Sequence, residues 1–338
     1  MANAPNRPEP LSLTVLTGFL GAGKTTLLNQ WVKDPAFADA VVIMNEVGDV
    51  ALDHQLVEMA TGEMVLLPSG CLCCAVRGDL VGGIEDLLRR RDNGRISPFR
   101  RIVIETTGVA DPGPVLGAVL GHPYLPLRFP DIGVVTAIDA VNASATMDRH
   151  EEAVRQAAAA DAIVLTKTDL ANDASVATLR ARLAAINPLA EILDAQAGEA
   201  SAAGVLDVIS GAARPAARAT TAADATIDLD AKHGVRTFTL TSETPVRAEQ
   251  LDLFLELLRA SRGPDLLRVK GLVSLATEPD APLVIHVVQH LMHPPKLLDR
   301  WPDADRSTRL VFIVRDIEPS FIANLWDAFD GAGTIERR

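Results

Sequence analysis

Short aliphatic runs alternate with stretches of helical periodicity from residue 11 to about residue 210. The runs Leu11 to Thr17, Ala40 to Asn45, Met64 to Leu67, Arg101 to Glu105, Ile132 to Ile138, Ala162 to Thr166 and Glu191 to Leu193 read as strands, several of them apolar on both faces. Lys24 to Lys33, Gly78 to Arg91 and Val176 to Ile186 read as helices between them. Repeated strand–helix–strand units of this kind predict a buried, mostly parallel sheet with helical cover. Gly211 to Asp230 has little periodicity and is rich in Ala, Thr, Arg and Pro, the composition of a linker. A second pattern follows. Val235 to Leu240 is strand-like, Thr244 is placed to cap and Pro245 to start a helix, and Leu251, Phe254, Leu255 and Leu258 share one face of it. Leu267 to Leu275, Leu283 to Gln289 and Arg309 to Arg315 read as strands, and Ser320 to Phe329 as a last helix.

The expected organisation is therefore a disordered start at residues 1–10, an α/β domain at 11–210, a linker at 211–230, and a smaller α+β domain at 231–338 with an antiparallel sheet and helices on one side. A length of 338 residues exceeds what one core usually serves, which agrees with two domains. Hydrophobic residues make up 48% of the chain and aromatic ones only 4%, so the core is aliphatic. A net charge of -12 gives no basic footprint for nucleic acid. The opening segment is polar and proline-bearing, and no apolar run reaches the ~20 residues that cross a bilayer. The expectation is a cytoplasmic protein without nucleic-acid or membrane partners; its oligomeric state is open.

Chemistry enters at Gly18-Phe-Leu-Gly-Ala-Gly23-Lys24-Thr25, which fits G-x-x-x-x-G-K-[ST] between an apolar strand and a helix. Backbone amides of Gly21, Ala22 and Gly23, with Lys24, Thr25 and Thr26, are placed to cradle phosphates at a helix N-terminus. Lys24 would neutralise the β and γ phosphates, and the Thr25 hydroxyl would ligate Mg²⁺. Thr166-Lys167-Thr168-Asp169 follows an apolar strand, and a carboxylate at Asp169 accepts both N–H donors of guanine, whereas adenine offers it a lone pair. GTP is expected over ATP. Thr166 stands where the usual guanine signature has Asn. Glu105-Thr-Thr-Gly108 ends another strand in an acid and a glycine, suited to hold Mg²⁺ through water or polarise the attacking water, with the Gly108 N–H facing a γ phosphate. Asn45, Glu46, Val47, Gly48 and Asp49 occupy the place of a first switch. Lys24, Glu105 and Glu46 are the candidate catalytic residues.

All three cysteines of the chain, Cys71, Cys73 and Cys74, fall within four positions between the phosphate loop and Glu105. Thiolates at this density suit a soft ion, Zn²⁺ or Co²⁺; thiol redox chemistry and inert buried thiols are the rival readings. The fourth ligand is open between Glu46, a water and a group from another protein. His286, His290 and His293 read as a strand with His286 and His290 on one face and His293 in a loop before Pro294, polar edge residues rather than a metal site.

Together, Gly18-Phe-Leu-Gly-Ala-Gly-Lys-Thr-Thr26, Asn45-Glu-Val-Gly48, Gly70-Cys-Leu-Cys-Cys74, Glu105-Thr-Thr-Gly108 with Ala110-Asp-Pro-Gly-Pro114, and Leu165-Thr-Lys-Thr-Asp169 resemble the CobW family of GTP-binding metal chaperones. Arg268-Val-Lys-Gly271 and Arg309-Leu-Val-Phe-Ile313 extend the likeness into the second domain. The resemblance implies a P-loop NTPase fold and a slow GTPase that delivers Zn²⁺ or Co²⁺ to a client protein. Many relatives carry glutamates at the outer switch positions where this chain has Met44 and Asp49. A P-loop phosphotransferase that tolerates ATP, and a thiol redox sensor, are the alternatives.

Overall fold

The computed structural model describes residues 9–44, 64–66, 75–210, 234–330 and 334–336, with side chains described for 9–44, 80–209 and 234–329. The expected disordered start, except for residues 9 and 10, and the 211–230 linker lie outside the described residues.

The first domain is built on seven parallel strands in the order β3-β2-β4-β1-β5-β6-β7. They are β1 (Ser12–Thr17), β2 (Ala40–Met44), β3 (Met64–Leu66), β4 (Arg101–Glu105), β5 (Asp131–Asp139), β6 (Ala162–Thr166) and β7 (Glu191–Asp194). β1 lies at the centre, and Leu13, Val15 and Leu16 have no exposed surface. Strands covered on both faces need a side chain every residue that tolerates burial, which is why these runs are continuously aliphatic instead of alternating. The covering helices are α1 (Lys24–Trp31), α2 (Ala75–Asp92), α3 (Gly113–Leu120), α4 (Leu125–Arg128), α5 (Ala143–Arg149), α6 (Glu151–Ala159), α7 (Asp173–Ile186) and α8 (Ala202–Ser210). Because all strands run the same way, β1, β2, β3, β4, β5 and β6 deliver the segments that follow them to one edge of the sheet.

The second domain is an antiparallel sheet ordered β11-β10-β9-β13-β8-β14, with β12 paired to β10. Its strands are β8 (Val235–Ser242), β9 (Leu266–Leu275), β10 (Glu278–Val288), β11 (Leu291–Met292), β12 (Lys296–Leu297), β13 (Thr308–Arg315) and β14 (Thr334–Glu336). One face packs against α9 (Ala248–Arg262) and α10 (Pro319–Asp330). Leu251, Phe254, Leu255 and Leu258 of α9 are all buried there, each contributing about 1.5 to 3 kcal/mol by leaving water. Phe254 meets Trp326 of α10 edge-on, with ring centroids 5.0 Å apart. The start of α9 differs from the sequence expectation. Val246 is held extended by its N–H to Ser274 O and by its carbonyl, which accepts from Ala276 N, so Thr244 and Pro245 stay outside the helix. Arg247 takes the cap position instead, its N–H donating to the Gln250 side chain.

The opposite sheet face lies against the first domain. Val235, Leu267 and Ile313 join the core formed by α6 and α7, and Thr237 donates to Ile186 O. At the centre of this interface Asp161, just before β6, faces Arg268 and Lys270 of β9. Arg268 donates to Asp161 Oδ1 and to Ala159 O, Lys270 Nζ reaches Asp161 Oδ1 at 3.1 Å, and Val134 N donates to Asp161 Oδ2 at 2.9 Å. Burial raises the Asp161 carboxyl, but the two cations outweigh it and hold the group far below the usual carboxylate range. Burial also pushes the Lys270 ammonium down.

The histidines depart from the edge-strand expectation. β10 is flanked by β9 and by β11 and β12, His290 sits exposed in the turn, and His293 returns to stack on His286 with centroids 3.9 Å apart. Gln289, at a left-handed φ of 54°, makes that return possible. The Nε2 atoms of His286 and His293 are buried without a hydrogen-bond partner. Burial, with Arg268 and Lys270 nearby and only Asp161 opposing, lowers His293 to about 4; burial and the charges of His293 and Arg268 lower His286 as well. Both rings are thus neutral in the fold, while in the unfolded chain they protonate near 6.5. Stability is full above that value and is lost as pH falls from about 6.5 toward 4, by about 2 kcal/mol at pH 5 for His293 alone. Urea melts at pH 7.5 and pH 5 test this; a midpoint independent of pH would contradict it, and His293→Gln should flatten the slope.

Candidate nucleotide site

Gly18 follows β1, and three glycines of the loop adopt φ values that other residues rarely take: Gly18 at 142°, Gly21 at 74° and Gly23 at 86°. A Cβ on Gly18 would lie 2.3 Å from Ala137 O, so the loop packs on β5 only because that atom is missing. Gly23 caps α1 with no side-chain hydrogen bond, and the amides of the first turn point toward the space above the loop, where an anion is favoured. Lys24 Nζ donates to Gly18 O at 2.8 Å and to Phe19 O at 3.4 Å, folded over its own loop. Thr25 donates to Glu105 Oε1 at 3.1 Å, joining the start of α1 to the end of β4 across the neighbouring strands β1 and β4. Thr26 and Gly21 are exposed beside them.

From β6 come the remaining predicted residues. Thr166 is buried, and its hydroxyl lies 2.8 Å from Ala22 O and 3.3 Å from Ile138 O. Lys167, at φ 58°, sends Nζ to Gly21 O and to Asp139 Oδ2, both at 2.8 Å. This pair fastens the strand end carrying the base-reading candidates to the phosphate loop. Thr168 donates to Asp194 Oδ1 at 2.8 Å, and Asp169 is exposed in the single turn Thr168–Leu170. Gly108 is buried; a Cβ there would lie 2.7 Å from Leu20 N, so the segment after Glu105 touches the phosphate-loop backbone directly.

Three contributors escaped the sequence reading. Asp139 closes β5 as Glu105 closes β4, an acid after a buried run, and the same signal would have found it. Burial raises its carboxyl, but hydrogen bonds from Lys167, Asn142 and Val141 N hold it below the usual range. Asp194 likewise ends β7 and is held low against burial by Thr168 and by the Ala197 and Gln196 amides. Gln156 is the buried polar residue among the alanines of α6, donating to Ala110 O at 2.9 Å and Gly108 O at 3.4 Å; a lone glutamine carries no local signal for such a role. A cavity of about 380 Å³ lies beside the loop, bounded by Phe19 to Ala22, the end of β5, and α5 and α6.

Cys71, Cys73, Cys74 and the switch residues Asn45 to Asp49, Glu46 included, lie outside the described residues. Among the described residues no group of three or more His, Cys, Asp or Glu side chains is arranged to hold a metal, and no helix is long and apolar enough to cross a membrane. The strand ends around the cysteine segment are nonetheless fixed. Met44 pairs with both Leu66 and Glu105, so β3 ends level with Glu105 and two strands away, about 10 Å. The thiols fall in the stretch between Leu66 and the start of α2 at Ala75.

A parallel sheet with a glycine loop and helix N-terminus at its carboxyl edge defines a P-loop nucleotide-binding domain. The chain belongs to the CobW family: residues 12–194 match the CobW/HypB/UreG nucleotide-binding domain and residues 235–330 the cobalamin synthesis protein cobW C-terminal domain. It is 34% identical to the zinc chaperone YjiA of Escherichia coli over 90% of this chain and 94% of that protein. It is 29% identical to the zinc chaperone CobW of Pseudomonas aeruginosa over 93% of this chain and 90% of the relative. The crystal structure of Zn(II)-bound YjiA GTPase from E. coli superposes with a TM-score of 0.69 at 27% identity, covering 95% of this chain and 99% of that one.

If Asp169 reads guanine, Asp169→Ala is expected to cut the preference for GTP over ATP by roughly 10- to 100-fold, the worth of hydrogen bonds to a charged acceptor. Competition between labelled GTP and ATP checks it; an unchanged ratio would remove Asp169 from base recognition.

Proposed function

We propose that this GTPase of the CobW family is a zinc carrier, binding Zn²⁺ at Cys71, Cys73 and Cys74 and passing it to a client protein under control of the bound nucleotide. The observation that carries the reading is the alignment of strand ends, which starts the cysteine-bearing stretch level with Glu105 and two strands away. The same edge holds the phosphate loop, which supports a cysteine stretch that begins near the nucleotide segments. Zinc is named for the relatives YjiA and CobW, and thiolate donors suit it.

The oxygen donors Thr25 Oγ1 and Glu105, 3.1 Å apart, form a hard set that fits Mg²⁺ and excludes no other role for Glu105. Mg²⁺ bound there supplies charge neutralisation to the phosphates. Lys24 withdraws from the Gly18 and Phe19 carbonyls to the β and γ phosphates, and the loop amides hold the remaining oxygens. Gly108 presents its N–H to the γ phosphate. Glu105 and Glu46 orient the attacking water. Loss of the γ phosphate releases Gly108 and the switch at Asn45 to Asp49, and that release in turn weakens metal binding and frees the ion for the client.

Elemental analysis after expression in metal-replete cells tests the cargo site. Near-stoichiometric zinc in the native protein and its loss in Cys73→Ala are expected. Equal zinc in both, or a Cys71–Cys74 disulfide with no metal, would overturn the assignment.

A further inference from the structure

The segment that follows Glu105 is held from two sides, and one of them is the other domain. Gln156 of α6 ties down Gly108 O and Ala110 O from within the nucleotide domain. Asp111, the next residue, accepts from Gly113 N through Oδ1 at 2.8 Å and from Gln289 Nε2 of the C-terminal domain through Oδ2 at 2.6 Å. The contact is built for closeness. Gly113 has no Cβ, and one placed there would lie 2.2 Å from Gln289 Oε1. Gln289 itself adopts a left-handed φ of 54° in the β10–β11 turn, a conformation that costs free energy in a residue other than glycine and aims its amide at Asp111. The same hairpin packs Val288 and Leu291 into the core formed with α3, the helix that starts two residues after Asp111.

We propose that Gln289 is a positioning residue for GTP hydrolysis, acting through Asp111 to fix the Glu105-to-Gly108 segment against the phosphate loop. The inference rests on the reading of Gly108 as a γ-phosphate donor and goes beyond the carrier function, because it assigns the C-terminal domain a part in turnover. The domain interface does not depend on this bond: Asp161 with Arg268 and Lys270, Thr237 with Ile186 O, and Arg315 with Glu151 all hold the domains together elsewhere. Removing the Gln289 amide therefore loosens one segment and leaves docking in place.

The test is steady-state GTP hydrolysis by the full chain carrying Gln289→Ala, Gln289→Glu, or the exchange Asp111→Asn with Gln289→Glu. The single variants should lower kcat by roughly three- to tenfold with KM for GTP and the melting temperature little changed, the effect of one lost hydrogen bond on a transition state. Glu at position 289 faces the Asp111 carboxylate, whose charge Arg155 Nη1 at 3.7 Å from Oδ2 only partly offsets, and should be the slower of the two. The exchange restores a donor and an acceptor with their polarity reversed and leaves the Gly113 N contact an oxygen to bond, so it should recover most of the rate. Wild-type kcat in both single variants, an exchange no faster than Gln289→Glu alone, or a parallel fall in kcat and melting temperature would each overturn the proposal. Gly108→Pro, which removes the N–H itself, measured alongside, separates the two readings: a normal rate there removes the γ-phosphate assignment, while the Gln289 series still reports on the link through Asp111.

Discussion

Lys24→Ala is expected to lower GTP turnover by about 10²- to 10³-fold, the usual consequence of removing one preorganised charge from a developing anion. Lys24 is the only cation between Gly18 and Thr26. Lys167, the other ammonium that reaches the loop, is neutralised by Asp139 at 2.8 Å and cannot replace it. The fold should survive, because the loop is shaped by its glycines, by Thr166 and by Lys167. Phosphate release together with a thermal melt separates the two effects. A rate within threefold of the native protein would show that the ammonium is not aimed at the phosphates.

Asp161→Ala should produce the largest loss of stability, about 3 to 5 kcal/mol, the range found when one partner of a buried ion pair is removed. The carboxylate is 7% exposed and faces Arg268, which has no exposed surface, and Lys270. Its loss leaves two buried cations side by side and the Val134 amide without its acceptor. Lys270 can shed its proton, since burial already favours the neutral amine, which sets the cost nearer the lower bound. Denaturant melts give the value. A change below 1 kcal/mol would mean that water reaches the interface. Asp161→Asn keeps the Val134 acceptor and should lie between the two.

Continuous aliphatic runs, read alone, gave the seven parallel strands to within a residue or two, because burial on both faces leaves few residue types available. The helix start after β8 departs from the sequence signal for a long-range reason: Pro245 has the local grammar of a first helical turn, but Val246 is bonded to Ser274 of β9 and to Ala276 just after it. His293 lies in a loop as its place before Pro294 implies, but its stacking on His286 depends on the turn at Gln289, which no periodicity announces. The convergence of Lys24, Thr25 and Glu105 around the glycine loop is legible because each belongs to a short motif tied to a strand end. Gln156, and Asp111 with Gln289, work across separations of 46 and 178 residues, where chain neighbours carry no trace of the partner.

A chelator competition titration of Zn²⁺, run with GDP and with a non-hydrolysable GTP analogue, tests most directly whether nucleotide state sets metal affinity. Coupling free energies of ordinary size predict affinities at least about fivefold apart, with the GTP-analogue state the tighter and the difference abolished in Cys73→Ala. Equal affinity in both nucleotide states would contradict the account, since a nucleotide that does not distinguish the two metal-binding states cannot drive release of the ion.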